Sequence, residues 1–429
     1  MLRALSLGAG SQALEGVRAL AAIGRQTGSL TARLRADLER HASFGDKFSG
    51  GPGDVATAGW IANRLSGYGY RVRETEFEAP FFVRRFARLA AGSTVSTVLP
   101  QAPVVPTGSS GITASMILVE AGANAVPGDL RGKIVLVIAP FGRHAALGTS
   151  GLGKTVKELA QAGGRVIVLI TTGPTGEAVA LNAPEEPFVP IPMAILAPKD
   201  AAPFVAAART GAMATLTLDG EATHRPCRNI VATIERGERW IGLSTPRTGW
   251  FGCVGERGTG TAVFLELASW LAGVFPSLSV FAMNSGGHEY NFAGSHRILS
   301  MAPPPEKTAV WAHIGATLAT RDAVESQGRL VMLDAADPQR SLMATDRARE
   351  AAAEAFRGLS GLERPTAVRP GAGELSAFTD RGYAAAFAVL GVHRWFHTRE
   401  DTLERVDAAL LEPVLRAHQR AIEIIVSRG

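Results

Sequence analysis

Cysteine is nearly absent. Cys227 and Cys253 are the only two in 429 residues, too few for a disulfide framework and without the CxxC spacing of a thiolate metal site. That scarcity fits a reducing compartment, so a cytoplasmic location is expected. Tyrosine occurs four times and basic residues are scattered, 44 against 39 acidic for a net charge of +5. Without a block of about five like charges or a set of stacking rings, no nucleic-acid partner is expected. No run of about eighteen apolar residues exists, which argues against a membrane span and a membrane partner. The short apolar start at Met1 and Leu2 is interrupted by Gln12, Glu15 and Arg18 before a signal-peptide core can form.

What the chain does have is core. It is 46% hydrophobic and 19% charged, and its length suggests about two or three domains. Helical periodicity runs from Leu30 to about Leu65, interrupted between Gly45 and Gly53, and Gly67 and Gly69 end it before an alternating strand at Tyr70 to Glu78. Between about Arg88 and His224 the texture changes to short Val- and Ile-rich runs. Strands are expected at Lys133 to Ala139 and Arg165 to Ile170, with a short helix between them at Val156 to Ala162. Asn182 to Pro192 carries four prolines and reads as an irregular loop. From Cys227 onward strands and helices alternate, with strands at Asn229 to Ile234, Arg239 to Leu243, Leu278 to Met283, Lys307 to Ile314 and Ala384 to Leu390, and a helix at Thr261 to Leu271. A long helix from Asp407 to Val426 closes the chain. The pattern implies an α/β fold, a mostly parallel mixed sheet sandwiched by helices, with sites beyond the carboxyl ends of its strands. The texture changes divide the chain into residues 1–87, an inserted module at 88–225, and 226–429.

Two motifs are set aside. Gly148 to Thr155 satisfies GxxxxGK[ST], but Pro140 to Leu147 separate it from the preceding strand and no later strand ends in a magnesium-holding Asp. Lys154 is therefore read as a solvated or capping lysine on a Gly-rich helix entry. His288-Glu289 begins like HExxH, but Phe292 stands where the second histidine is needed.

Three stretches carry a resemblance. Gly53 to Leu65 with Gly69-Tyr-Arg-Val reads as an opening helix and strand, and His288-Glu289 lies just ahead of Gly294-Ser295. Phe396-His397-Thr398-Arg399-Glu400-Asp401-Thr402, continuing to Asp407, is the most specific piece. Together they resemble the co-catalytic zinc aminopeptidase family that also contains the glutaminyl cyclases, and Gly128 to Val168 is similar to the β-rich protease-associated domain inserted in such enzymes.

The resemblance implies that His397 is a metal ligand, with Asp401 and Thr402 capping and orienting its loop. It makes Glu289 a ligand and puts His288 in the place of a general-base glutamate, where an imidazole with a pKa near ~6.5 can still take a proton from water. The first ligand loop departs from the family: the early histidine falls on Thr245, its Asp partner on Arg247, and the bridging Asp on Glu256. The late Asp is replaced near Ala312-His313. Glu256, Glu289 and His397, with His313 as a fourth ligand or polar neighbour, are thus the expected metal set for a single zinc ion.

Arg247 and Arg257 would lie beside this set. Arg247 either takes the lost metal's place electrostatically as a catalytic residue, stabilising an oxyanion or binding a substrate carboxylate bidentately, or pairs with Glu256 and consumes that carboxylate. The implied function is a metal-dependent hydrolase of amide or peptide bonds with a reduced, single-zinc site, acting on a peptide or small amide substrate. The alternatives are a catalytically inactive relative that binds peptides or partners, a nucleotide binder through Lys154, and a metal-free enzyme using Cys253 or His288.

Overall fold

The computed structural model describes residues 28–122, 129–148, 151–327, 329–369 and 373–428. The apolar start at Met1 and Leu2 lies outside these residues, as do Thr149 and Ser150 of the phosphate-loop look-alike.

The chain enters through α1 (Leu30–Ser43), whose N-terminal amide at Ala32 is capped by the Ser29 hydroxyl. It continues in α2 (Pro52–Gly67), which opens on a proline whose missing N–H costs nothing in the first turn and is turned off by Gly69 at φ 89°. Next come β1 (Arg71–Ala91), β2 (Thr94–Thr97), β3 (Leu99–Pro100), β4 (Ile112–Glu120) and β5 (Ile134–Ile138). The helix α3 (Gly151–Gln161), β6 (Val166–Ile170), β7 (Met193–Leu196), α4 (Ala202–Arg209) and β8 (Met213–Ile234) follow. Lys154 lies on α3 with an exposed side chain facing Glu158 at 3.8 Å, in keeping with a solvated lysine.

β1 and β8 pair antiparallel along nearly their whole length, from Arg71 opposite Thr233 to Ala91 opposite Ala214. The expected boundaries near residues 88 and 225 therefore fall inside two long strands rather than in linkers. Pro80 and Pro226 are tolerated because each sits where its strand's other edge is open: β2 pairs only Arg88 to Ala91 of β1, and β10 (Ser279–Ser285) pairs only Ile230 to Ile234 of β8.

The remaining elements are β9 (Trp240–Pro246), α5 (Thr259–Val274), β10, α6 (Ala293–Ile298), β11 (Thr308–Ile314), the hairpin β12 (Arg321–Ser326) and β13 (Arg329–Ala336), β14 (Arg340–Ala344), α7 (Asp346–Ala355), α8 (Leu375–Thr379), β15 (Ala386–Gly391) and α9 (Ala408–Arg428). The main sheet runs β14-β15-β11-β9-β10-β8-β4-β5-β6-β7-β3. Within it β15, β11, β9 and β10 are mutually parallel, as are β4 to β7.

Burial on both faces explains the continuous apolar runs, and the period of two sorts them into layers. Val280 and Ala282 of β10, with Val310, Ala312 and Ile314 of β11, face the core under α1, α2, α5, α7 and α9. Phe281, Met283 and Trp311 face the opposite layer, shared with Leu375 and Phe378 at α8. The same alternation separates Ile134 and Leu136, which pack toward Phe204 of α4, from Val135 and Val137, which pack toward Val156 and Leu159 of α3. Among the described residues no helix is long and apolar enough to cross a membrane.

Candidate active site

Because β9, β10, β11 and β15 are parallel, their carboxyl ends and the loops beyond them lie on one edge of the sheet, where α/β sites form. After β9 the chain makes a wide helical turn at Val254–Gly258 before entering α5. Asp401 caps that turn, its Oδ1 accepting the Gly255 N–H at 2.6 Å and its Oδ2 the Glu256 N–H at 3.0 Å. The cap fixes Glu256 and Arg257 side by side, both fully buried. Asp401 thus serves the Glu256 turn.

His397 is held from three directions. Its backbone is left-handed at φ 59°, Phe396 stacks on its ring at 3.9 Å, and its Nδ1 donates to the Ala180 carbonyl at 2.8 Å. The Ala180 N–H returns a bond to the His397 carbonyl at 3.0 Å, so the loop before the Pro-rich segment is strapped across the site. Nε2 then faces Glu256 Oε1 at 3.2 Å.

Glu289 follows β10. Its Oε2 accepts from Ser49 at 2.9 Å, while Oε1 is buried without a well-aligned hydrogen bond and the Thr248 side chain lies close to the carboxylate. Beside it, His288 Nδ1 lies 3.0 Å from Glu374 Oε1, and Ser285 Oγ donates to the same carboxylate at 3.1 Å. His313, next to last in β11, is bonded through Nδ1 to Ser244 Oγ at 2.8 Å.

Arg257 lies at the centre of this charge pattern. Its Nε donates to the Thr248 carbonyl at 2.8 Å and its Nη2 is 2.8 Å from Glu256 Oε1, yet neither Nη1 nor Nη2 makes a well-aligned hydrogen bond. Its charge acts on Glu256, Glu289, Glu374, His288 and His313. Burial works against ionisation of Glu256, but Arg257 and then His397 outweigh it and bring its pKa down to about 2. Glu289 lacks that direct contact, and burial, only partly offset by Arg257, raises it to about 7. Burial also raises Glu374, lowers His313 to about 4, and with the charge of Arg257 holds His288 well below the usual imidazole range. His288 is therefore neutral near pH 7, with Nδ1 the donor to Glu374 and Nε2 the accepting nitrogen.

The structure brings Glu256, Glu289, His288 and His397 together but not Arg247. That side chain is turned away from Glu256 and fully buried, with Nε on Asp54 Oδ1 at 2.5 Å, Nη1 on Asn284 Oδ1 at 2.7 Å and Nη2 on the Arg228 carbonyl at 2.5 Å. Of the two alternatives for Arg247, the pair with Glu256 does not form; the structure has Arg247–Asp54 and Arg257–Glu256 instead. The reason is local: Arg257 shares the capped turn with Glu256, whereas Arg247 leaves β9 toward α2. His313 is committed to Ser244, and the carboxylate whose charge it meets is Glu374 rather than Glu256 or Glu289. Glu374, Ser49 and Asp54 were not legible as members of the site, since no motif surrounds Glu374 and the other two come from the chain's start.

The expected zinc set does not fit as it stands. Among the described residues no three His, Cys, Asp or Glu side chains converge to hold a metal ion. Glu256 Oε1 is shared between a guanidinium and an imidazole. A zinc held ~2 Å from that oxygen would lie within ~5 Å of Arg257 Nη2. At an effective dielectric constant of ~20 the repulsion there is about 7 kcal/mol, roughly half of what a structural zinc site gains.

A cavity of about 390 Å³ adjoins the cluster, lined by Phe48, Phe81, Leu99, Ala180, Trp250 and Tyr290 among others, with Arg399 and Asp46 at its polar parts. Phe48 and Tyr290 are chain neighbours of Ser49 and Glu289, and Ala180 is the residue that straps His397. Its apolar wall and few polar groups are those of a small-molecule or side-chain pocket.

No protein-family model and no curated protein matches the sequence. Solved structures do. BSAP, a zinc aminopeptidase from Bacillus subtilis, shares 17% identity at a TM-score of 0.68, covering 92% of this chain and 94% of that one. A peptidase M28 precursor from Shewanella amazonensis shares 16% identity at a TM-score of 0.70, covering 97% of each chain. An aminopeptidase from Aneurinibacillus sp. shares 17% identity at a TM-score of 0.65, covering 91% and 93%. The chain has the zinc aminopeptidase fold along essentially its whole described length.

Proposed function

We propose that this chain hydrolyses amide bonds of peptides or small amides, with His288 as the general base and Arg257 supplying positive charge at the reacting carbonyl. The observation that carries this reading is the His288–Glu374 pair. A buried carboxylate fixes the imidazole through Nδ1 at 3.0 Å, which sets the tautomer and leaves Nε2 as the accepting nitrogen; with burial and the Arg257 charge lowering its proton affinity, it acts as a weak base that passes the proton on at once to the leaving amine. His288 is also the member of the cluster whose side chain keeps some exposure, 12%, against 0–1% for Glu256, Arg257 and His397.

In such a reaction water adds to the carbonyl carbon as its proton passes to His288. The oxyanion forms toward Nη1 of Arg257, the terminal nitrogen outside the 2.8 Å contact of Nη2 with Glu256, and the imidazolium returns the proton to the leaving amine. Glu374 holds the imidazole and balances its transient charge. The apolar cavity beside Tyr290 receives the substrate's side chain, which favours amides of apolar or aromatic residues. The fold shared with zinc aminopeptidases supports the amide class; no step is routed through a metal, because the guanidinium occupies the carboxylate a metal would need.

The test is turnover of aminoacyl and dipeptidyl amides bearing apolar side chains, measured with a chelator present. The expected result is chelator-resistant hydrolysis that is lost in His288→Ala. Hydrolysis that vanishes with chelator and returns with zinc overturns the mechanism. Peptide binding without turnover moves the chain to the alternative of an inactive, peptide-binding aminopeptidase-like protein.

A further inference from the structure

Oxygen and nitrogen donors of the kind that bind a metal line the cluster, although among the described residues no three of them converge on one point. Glu256 Oε2 and Glu289 Oε1 are both buried acceptors without a well-aligned hydrogen bond. His397 has its Nδ1 anchored on a backbone carbonyl, the arrangement that orients a metal-binding imidazole through its other nitrogen. Glu289 is steadied by Ser49, and the Glu256 turn by Asp401. Among them stands a buried guanidinium, close enough to ion-pair with Glu256, whose two terminal nitrogens are themselves short of hydrogen-bond acceptors. Such a residue is poorly explained as a structural tether, since only its Nε makes a well-formed bond.

We infer that Arg257 is a built-in cation that takes the place of a divalent metal, and that its removal uncovers a zinc site formed by Glu256, Glu289 and His397. The guanidinium neutralises the carboxylates that would otherwise attract the ion, and its own charge repels the ion. It also occupies one oxygen of Glu256. This inference concerns what the site binds and is independent of whether the chain hydrolyses anything.

The experiment compares the full-length chain with Arg257→Met, which keeps most of the side-chain volume, and Arg257→Ala. Each protein is incubated with zinc chloride, desalted and assayed for zinc by elemental analysis, and its thermal midpoint is followed during zinc titration. The wild-type chain is expected to retain well under an equivalent of zinc and to show no zinc-dependent shift. The substituted chains are expected to retain a single equivalent, with affinity at least about 100-fold above wild type and a midpoint that rises with zinc. The gain is expected to disappear in Arg257→Met combined with Glu289→Gln. A wild-type chain that retains stoichiometric zinc overturns the inference, and this arm stands even if neither variant is soluble. Folded Arg257 variants that bind zinc no better than wild type overturn it as well.

Discussion

Replacing Asp54 by Asn leaves the fully buried guanidinium of Arg247 without its direct ion-pair partner, with only the more remote charge of Glu289 in its place. Asp54 also accepts the Gly50 N–H at 2.8 Å and faces the Cys227 thiol at 3.5 Å. Asn284 and the Arg228 carbonyl supply Arg247 with hydrogen bonds but no negative charge. Breaking a buried pair from one side costs about 3–5 kcal/mol because the remaining charge stays desolvated. With ~2.1 cal/mol/K of unfolding entropy per residue, and a chain unfolding as a whole, that loss lowers the thermal midpoint by about 3–6 °C. Calorimetry of Asp54→Asn measures it directly. Glu235→Gln is the control: Arg71 and Glu235 pair at 2.8 Å with side chains 76% and 58% exposed, and such pairs contribute about 0–1 kcal/mol. Arg247→Met joined with Asp54→Leu is expected to be less costly than the sum of its parts, since it removes both charges together. If Asp54→Asn and Glu235→Gln prove equally mild, Arg247 is not held by Asp54 and the account of why it leaves Glu256 fails.

Two further outcomes follow from packing and burial. A Cβ at Gly242 would lie 2.2 Å from the Trp311 ring, so Gly242→Ala is expected to destabilise by about 1–3 kcal/mol or more, whereas Gly273→Ala, on an open face of α5, is expected to stabilise by up to ~1 kcal/mol; calorimetry or urea midpoints with the signs reversed would refute this. His418, packed between Phe356 and Phe387, is lowered by burial to about 4 from 6.5. Because the unfolded chain binds that proton more readily, the contribution of about 3 kcal/mol is present above pH ~6.5 and lost as pH falls toward ~4. His418→Leu is therefore expected to flatten stability across that window, and an unchanged acid limb in urea titrations would contradict it.

The helices and strands of the sheet were legible because both faces are covered, which turns each strand into an apolar run between glycines and prolines. Lys133 to Ala139 and Lys307 to Ile314 became β5 and β11 to within a residue or two at each end, and Asp407 to Val426 became α9. The β1–β8 ribbon was read in pieces. Its proline-bearing middle has strand neighbours on one side only, so Pro80 and Pro226 break no ladder there. The hairpin of β12 and β13 escaped notice for a related reason: it forms its own two-stranded sheet, and several of its positions are exposed, so no apolar run marks it.

The site was legible where function is tied to a contiguous motif and illegible where it depends on partners far apart in the chain. His397 with Asp401, and His288 with Glu289, stand in short recognisable stretches, and the fold places them together. Which arginine meets Glu256 could not be read that way. Arg257 adjoins Glu256 in the chain and Arg247 lies nine residues before it, but neither spacing says which guanidinium turns toward the carboxylate. Once Asp401 caps Gly255 and Glu256, the side chain next along the turn has the shorter reach, and Asp54 from a distant helix claims the other. That division sets the chemistry. A carboxylate paired to a mobile or exposed lysine could still release it to a metal, since a flexible ammonium is readily rehydrated. Arg257 is buried, its Nε is committed to Thr248, and moving it aside would strip that bond while carrying an unsolvated charge through the core. The site therefore keeps its cation whatever ions surround the protein, and its electrostatics are fixed by the chain itself.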